Sequence, residues 1–382
     1  LRVLTEMFPD APIYTLLYDE KKLGDWFPKE RVRTSNLQPA TCNPFPWKYN
    51  HHIYLSRFPQ AIEAWDFSQF DLVISSSSAF AHNIITNGKP RHLSFVNSPA
   101  RYLWDRTHDV LEQAGKGIFG PLKRAYLERA FHKLRIWDAE SAARADRIIV
   151  SSKEVQRRVE LYWRRSSTVV YPPIDDFWLD QSQIVSRKSQ IRLQMQHPDY
   201  FLVVSTLVPY KRIELAIEAC NHLGIYLKIV GEGPDRKRLE RLAASRARNS
   251  QRSTPYAQPP IVEFYGYRHG DELADLYAGA KATIVPGDED FNLVALESMA
   301  CGTPVIAFAA GGPLETIVEG KTGEFFRDPT AESLQEILEI YDQKKYSSEE
   351  CLRRAAEFST RVFKKNIQRE IDKVLFENEG TK

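Results

Sequence analysis

The sequence predicts an α/β fold made of two doubly wound domains, each a parallel sheet covered by helices on both faces. Three observations carry this. The chain has 382 residues, too many for one ordinary hydrophobic core. Apolar strand-like runs alternate with helical stretches, and this alternation occurs twice, on either side of a proline-rich break. Composition agrees: 43% hydrophobic and 27% charged residues exclude a largely disordered chain, and 12% aromatics supply packing anchors. Two lobes imply a cleft between them.

Taken in order, Leu1, Val3, Leu4 and Met7 have the spacing of a helix already under way. A doubly wound domain needs a strand and a turn ahead of its first helix, so that strand and any glycine-rich loop after it are expected to precede Leu1. Strands are predicted at residues 12–17, 72–75, 92–96 and 147–151. Residues 169–178, with Pro172, Pro173, Asp175 and Asp176, read as an extended, non-helical hinge. Beyond it, strands are predicted at 201–205, 226–230, 261–264, 282–285 and 304–307, and the polar stretch 245–260 reads as a surface loop.

Cys42, Cys220, Cys301 and Cys351 lie far apart with no CxxC pair, which argues against a zinc site or a disulfide framework and fits a reducing compartment. No apolar run has the length of a membrane span and no leader pattern is read, so the expected compartment is the cytoplasm, up to the inner face of its membrane. Net charge is +2, near balance, and no aromatic-basic stacking motif is present, which disfavours a nucleic-acid partner. Charge is uneven, however: residues 1–180 hold 25 basic and 21 acidic side chains. Within them, 116–137 carries Lys116, Lys123, Arg124, Arg129, Lys133 and Arg135 against the single acid Glu128, interleaved with Phe119, Leu122, Tyr126, Leu127, Phe131 and Leu134. This pattern predicts a basic amphipathic helix, either a solvated face over a core stripe or a dock for an anionic membrane or lipid-linked acceptor.

Candidate chemistry concentrates after the second-half strands. Glu289 and Glu297 stand eight residues apart; with a helix beginning at about Asn292, Glu289 precedes its N-terminus and Glu297 sits about two turns inside. Eight helical residues span roughly 12 Å, whereas a retaining glycosidase dyad needs about 5 Å, so the two are not such a dyad. The amides of Asn292, Leu293 and Val294 at the positive end of the helix suit a diphosphate. Glu289 would then face a sugar, and Glu297 could accept hydrogen bonds from a ribose diol. Lys211, in Val208-Pro209-Tyr210-Lys211-Arg212 after a strand, could neutralise a diphosphate leaving group. The chain is read as holding no Asp-x-Asp sugar-nucleotide metal motif, so the ammonium is expected to do the service a metal gives elsewhere.

Lys211 in its segment, Val230-Gly231-Glu232-Gly233, Phe264-Tyr265-Gly266, and the Glu289-x7-Glu297 segment running into Gly302-Thr303-Pro304 together resemble family 4 glycosyltransferases. Asn97-Ser98-Pro99-Ala100-Arg101-Tyr102-Leu103-Trp104-Asp105 and Tyr171-Pro172-Pro173-Ile174-Asp175 make the chain similar, within that family, to bacterial O-antigen and exopolysaccharide mannosyltransferases. The resemblance implies a GT-B fold: two Rossmann-like domains, 1–172 and 173–357, with parallel sheets facing across an inter-domain cleft, and a C-terminal helix, 358–382, crossing back to the first. It implies a nucleotide-sugar donor, GDP-mannose first and UDP-glucose next, a glycan or lipid-linked acceptor, no metal or other cofactor, and transfer with retention.

By the same resemblance Lys211, Glu289 and Asn97 are the catalytic candidates. Thr206, Arg212, Gly231, Gly266, Tyr267, Arg268, Phe291, Asn292, Leu293, Val294 and Glu297 are the donor-binding ones. Three positions depart from the family pattern: Thr206 stands where an arginine usually joins the lysine, Asn97 where a histidine precedes Ser-Pro, and Asn292 where glycine is usual. The alternative reading is a catalytically weakened scaffold of this fold that binds a sugar nucleotide or a partner without turnover.

Overall fold

The computed structural model describes residues 1–39, 51–180, 199–250 and 261–376. Internal packing divides the chain into two compact units, residues 1–170 with 364–382, and residues 171–363.

The first unit holds β1 (Ile13–Thr15) and β2 (Val32–Thr34), paired in parallel with each other, and a four-stranded parallel sheet of β3 (Leu72–Ser77), β4 (Arg91–Val96), β5 (Arg147–Val150) and β6 (Thr168–Val169) in that order. The run at 12–17 therefore lies in a separate ribbon rather than in the larger sheet. β2 escapes the sequence reading because Val32-Arg33-Thr34 holds a single apolar residue, and β6 because it has only two residues. Helix Lys153–Trp163 starts where Ser152 accepts the Val155 amide at 3.1 Å. Phe131 and Leu134 of helix Gly120–Ser141 pack into one core with Leu103.

That helix corrects the expected core stripe. Leu127, Phe131 and Leu134 face the core, but Phe119, Leu122 and Tyr126 are exposed. At 100° per residue Leu122 and Tyr126 fall on the face opposite Phe131, so one helix cannot bury all six.

The second unit is a six-stranded parallel sheet in the order β12-β11-β10-β7-β8-β9, with β7 (Tyr200–Val204), β8 (Tyr226–Val230), β9 (Val262–Gly266), β10 (Thr283–Val285), β11 (Val305–Phe308) and β12 (Gly323–Phe326). The chain thus has the two-domain α/β organisation expected. Strand side chains alternate between two cores: Tyr200 and Leu202 enter one, Phe201 and Val203 the other. Burial on both faces is what makes these strands read as unbroken apolar runs.

Two local expectations fail. The hinge is extended only to Asp175, whose side chain accepts the Phe177 amide at 3.0 Å and starts the helical turn Asp176–Leu179. Residues 245–250, expected in a loop, continue helix Arg236–Ser250, whose alanines and arginines favour helix; the rest of that stretch and Cys42 lie outside the described residues. Cys220, Cys301 and Cys351 are buried.

Candidate functional site

In the second sheet the strand order reverses between β7 and β10. At such a switch point the crossovers leave to opposite faces, opening a crevice at the carboxyl ends of the two strands. The loops that leave β7 and β10 carry Lys211 and Glu289.

Lys211 ends a 3-10 turn, Pro209–Lys211, and Arg212 takes a left-handed conformation, φ 51°, before helix Ile213–Leu223. From the other side, a Cβ on Gly287 would stand 3.0 Å from the Lys211 Cα, so glycine is what lets the loops pass this closely. Lys211 Nζ donates to both Glu289 carboxylate oxygens, at 2.6 and 2.5 Å. Both side chains keep some exposure, 19% and 17%. The Glu289 carbonyl accepts the Gly312 amide at 2.7 Å, and Glu289 bridges Gly311, so the acidic loop is clamped by the loop after β11.

Asn292 sits at φ 75° and caps helix Leu293–Ala300, its Oδ1 accepting the Ala295 amide at 3.2 Å. Asparagine is among the few side chains that tolerate this conformation. Its Nδ2 is buried with no hydrogen-bond partner among the described residues. Leu293 and Val294 follow in the first turn, where amides have no intrahelical acceptor.

Glu297, on the same helix, accepts a hydrogen bond from the Tyr277 hydroxyl at 2.9 Å. Burial pushes its carboxyl up to about 7; the Tyr277 bond opposes that shift, and the Asp175 carboxylate adds to it.

The remaining candidates of the second unit lie on the loops that leave its strands. Gly231, at the end of β8, has φ 134°, and a Cβ there would meet the Ser205 carbonyl oxygen at 1.8 Å, which no side chain could accept. Its amide donates to the Gly266 carbonyl at the end of β9. Tyr267 is exposed, and Arg268 pairs with Glu272 at 3.4 Å. Thr206 and Arg212 are exposed on the β7 loop, and Arg212 has no ion pair among the described residues. Phe291 is buried and stacks on Tyr171 with centroids 5.7 Å apart. Asn97 belongs to the first unit, at the end of β4, where its carbonyl accepts the Ser151 hydroxyl at 2.9 Å; its assignment stands on the resemblance alone.

Two corrections follow. The triplet Asp288-Glu289-Asp290 does have Asp-x-Asp spacing; its central carboxylate is the one held by Lys211, and among the described residues no group of three His, Cys, Asp or Glu is placed to hold a metal ion. Sequence reasoning also misses Tyr277 and Gly287. The tyrosine reads as ordinary core in an apolar helix, and the glycine's role depends on a loop 76 residues away in sequence.

The fold is that of GT-B glycosyltransferases: Anabaena HepE, solved in complex with UDP and glucose, aligns with a TM-score of 0.65 at 16% identity, covering 97% of this chain and 94% of that one. A D-inositol 3-phosphate glycosyltransferase of Acidothermus cellulolyticus is 31% identical over 49% of this chain and 44% of its own length. A GDP-mannose-dependent alpha-mannosyltransferase of Mycobacterium tuberculosis is 34% identical over 31% of this chain and 28% of its own. The chain spans about half the length of the curated relatives it matches first. Residues 186–357, most of the second unit, match the family of glycosyl transferases group 1.

Proposed function

We propose that this protein is a metal-independent glycosyltransferase that moves a hexose, mannose before glucose, from a nucleotide diphosphate donor to a glycan or lipid-linked saccharide, with retention, in the synthesis of a surface polysaccharide. Its working place in this reading is the cytoplasm. The observation that carries it is the Lys211–Glu289 pair at the switch point of the second sheet, inside the segment that matches group 1.

Each partner is held ready by the other. A diphosphate entering the crevice offers Lys211 a stronger anion than a single carboxylate, and the ammonium then stabilises charge on the leaving group as the bond from the anomeric carbon breaks. Glu289, released, takes sugar hydroxyls and favours the positive charge that develops on the ring. The first-turn amides of helix Leu293–Ala300 add dipole to the phosphate contact. Glu297 receives the ribose diol. The exposed Arg212, next to Lys211, can supply the cation that Thr206 does not.

The weakened-scaffold reading keeps one observation in its favour: Thr206 leaves Lys211 without the usual arginine on the same loop. A thermal-shift and donor-hydrolysis screen against GDP- and UDP-sugars, with and without EDTA, separates the two. Stabilisation with EDTA-resistant release of one nucleotide supports the transferase and names its donor. Stabilisation without release, or neither effect with any donor, overturns the transferase and supports the scaffold.

A further inference from the structure

Helix Gly120–Ser141 has 22 residues and is therefore about 33 Å long. Its inner face buries Phe131, Leu134 and Asp138. Its outer face is not the polar surface a solvated helix normally shows. Leu122, Tyr126, Arg129, Lys133 and Ile136 fall within an arc of about 80° at 100° per residue, and all five are exposed. The turn ahead of the helix extends this stripe with Ile118 and Phe119, which are 95% and 77% exposed, and Leu122 follows at 74%. Large apolar side chains this exposed, gathered on one element, mark a surface that meets something other than water.

Charge narrows what it meets. Lys116 and Arg124 have acidic neighbours in Glu112, at 3.9 Å, and Glu128, at 2.8 Å. Lys123, Arg129 and Lys133 are exposed and have no acidic partner among the described residues. The stripe is thus apolar at both ends and cationic between, on one face of a helix. A linear, single-signed, apolar-and-basic face fits a flat anionic surface into which short side chains can sink while lysine and arginine stay at the charged level.

We propose that this face docks the protein on an anionic lipid bilayer, with Ile118, Phe119, Leu122 and Tyr126 entering the interface and Lys123, Arg129 and Lys133 held at the headgroups. The inference is independent of which sugar the second unit binds and of whether it turns over. It bears on substrate class, because a docked enzyme meets lipid-linked acceptors in the plane of the membrane.

The test is co-sedimentation of the full chain with vesicles of phosphatidylcholine alone and of phosphatidylcholine with phosphatidylglycerol. The expected result is at least tenfold stronger partition onto the anionic vesicles. Phe119→Ser with Leu122→Ser, and separately Arg129→Glu with Lys133→Glu, should each remove at least tenfold of it, with melting temperature and nucleotide binding unchanged because all four side chains lie outside the core. Partition that is absent, equal on both vesicles, or untouched by both double variants overturns the proposal. So does a concentration-dependent dimer abolished by the serine pair, which would make the stripe a contact between two copies.

Discussion

Two polar pairs in this molecule look alike in a contact map and differ in what they can do. Lys211 and Glu289 meet at 2.5–2.6 Å on two loops, part-exposed, at the switch point of the second sheet. In the first unit His82 Nε2 lies 3.4 Å from Asp138 Oδ1 with both side chains fully buried. The other Asp138 oxygen accepts the indole N–H of Trp104 and of Trp163, each at 2.8 Å, and His82 lies against Trp163 with ring centroids 4.1 Å apart. The first pair can exchange one partner for a ligand, because water and solute reach it. The second cannot: Asp138 is committed to two tryptophans and sealed by them. Accessibility at a switch point, rather than charge alone, separates a site from a staple.

The sharpest break of that comparison is Lys211→Ala. If the pair is a site, transfer falls by about a hundredfold to a thousandfold, the scale seen when one charge-stabilising donor is lost, while the melting temperature barely moves. Glu289→Ala should be comparably inactive. Full activity in Lys211→Ala, measured by release of nucleotide from the preferred donor, would remove the leaving-group role.

Asp138→Ala should behave in the opposite way. It strands two indole N–H groups, that of Trp163 buried, and costs about 3 kcal/mol or more of stability, read as a lower denaturant midpoint, with nucleotide affinity unchanged in the folded fraction. A variant as stable as the parent would show that the buried cluster is not a staple.

Glu297 tests the site from its third member. Its carboxyl sits at about 7, above the 4.5 of an ordinary glutamate. Below pH 4.5 it is protonated in folded and unfolded chains alike. Between 4.5 and 7 the unfolded chain ionises first and binds fewer protons, so this group lowers stability as pH rises through that window, and the loss is complete above it. Donor binding runs the other way, because a ribose diol donates to the ionised form. At pH 6 about one molecule in ten carries that form, so the donor Michaelis constant should be about tenfold higher than at pH 8. Glu297→Gln should flatten this dependence, and Tyr277→Phe should move its midpoint upward. A dependence that survives Glu297→Gln belongs to another group.

The same contrast explains what the sequence makes legible. The β7, β8 and β10 runs are buried on both faces, and their apolar residues mark them to within a residue or so. β12, Gly323–Phe326, lies at the edge of the second sheet and opens with Gly323 and Glu324, so it lacks the unbroken apolar run that marks the others. Glu289, Glu297 and Lys211 announce themselves by residue type and by position after strands. That Lys211 and Glu289 touch is not legible, because 78 residues lie between them and their meeting depends on the order of strands in the sheet. Nor is the solvent-facing position of Leu122 and Tyr126: composition gives an amphipathic helix, and only packing decides which apolar residues it leaves outside.

The smallest expected effect is the most specific. Asn292 splits its side chain between two tasks: Oδ1 caps the helix, and Nδ2 is buried without a partner beside the Lys211–Glu289 loop. An unpaired buried amide is unfavourable unless a ligand completes it. Asn292→Asp keeps the capping oxygen and tolerates the same positive φ, but replaces the N–H donor with negative charge. It should weaken binding of the donor diphosphate severalfold to tenfold without loss of stability. Asn292→Gly should cost only a few tenths of a kcal/mol in capping and leave the diphosphate within reach of the backbone, with affinity between the other two. Titration of the free nucleotide diphosphate against the three proteins decides it. If Asn292→Asp binds as tightly as the parent, the asparagine is a cap and nothing more, and the site narrows to Lys211, Glu289, Glu297 and the first turn of the helix.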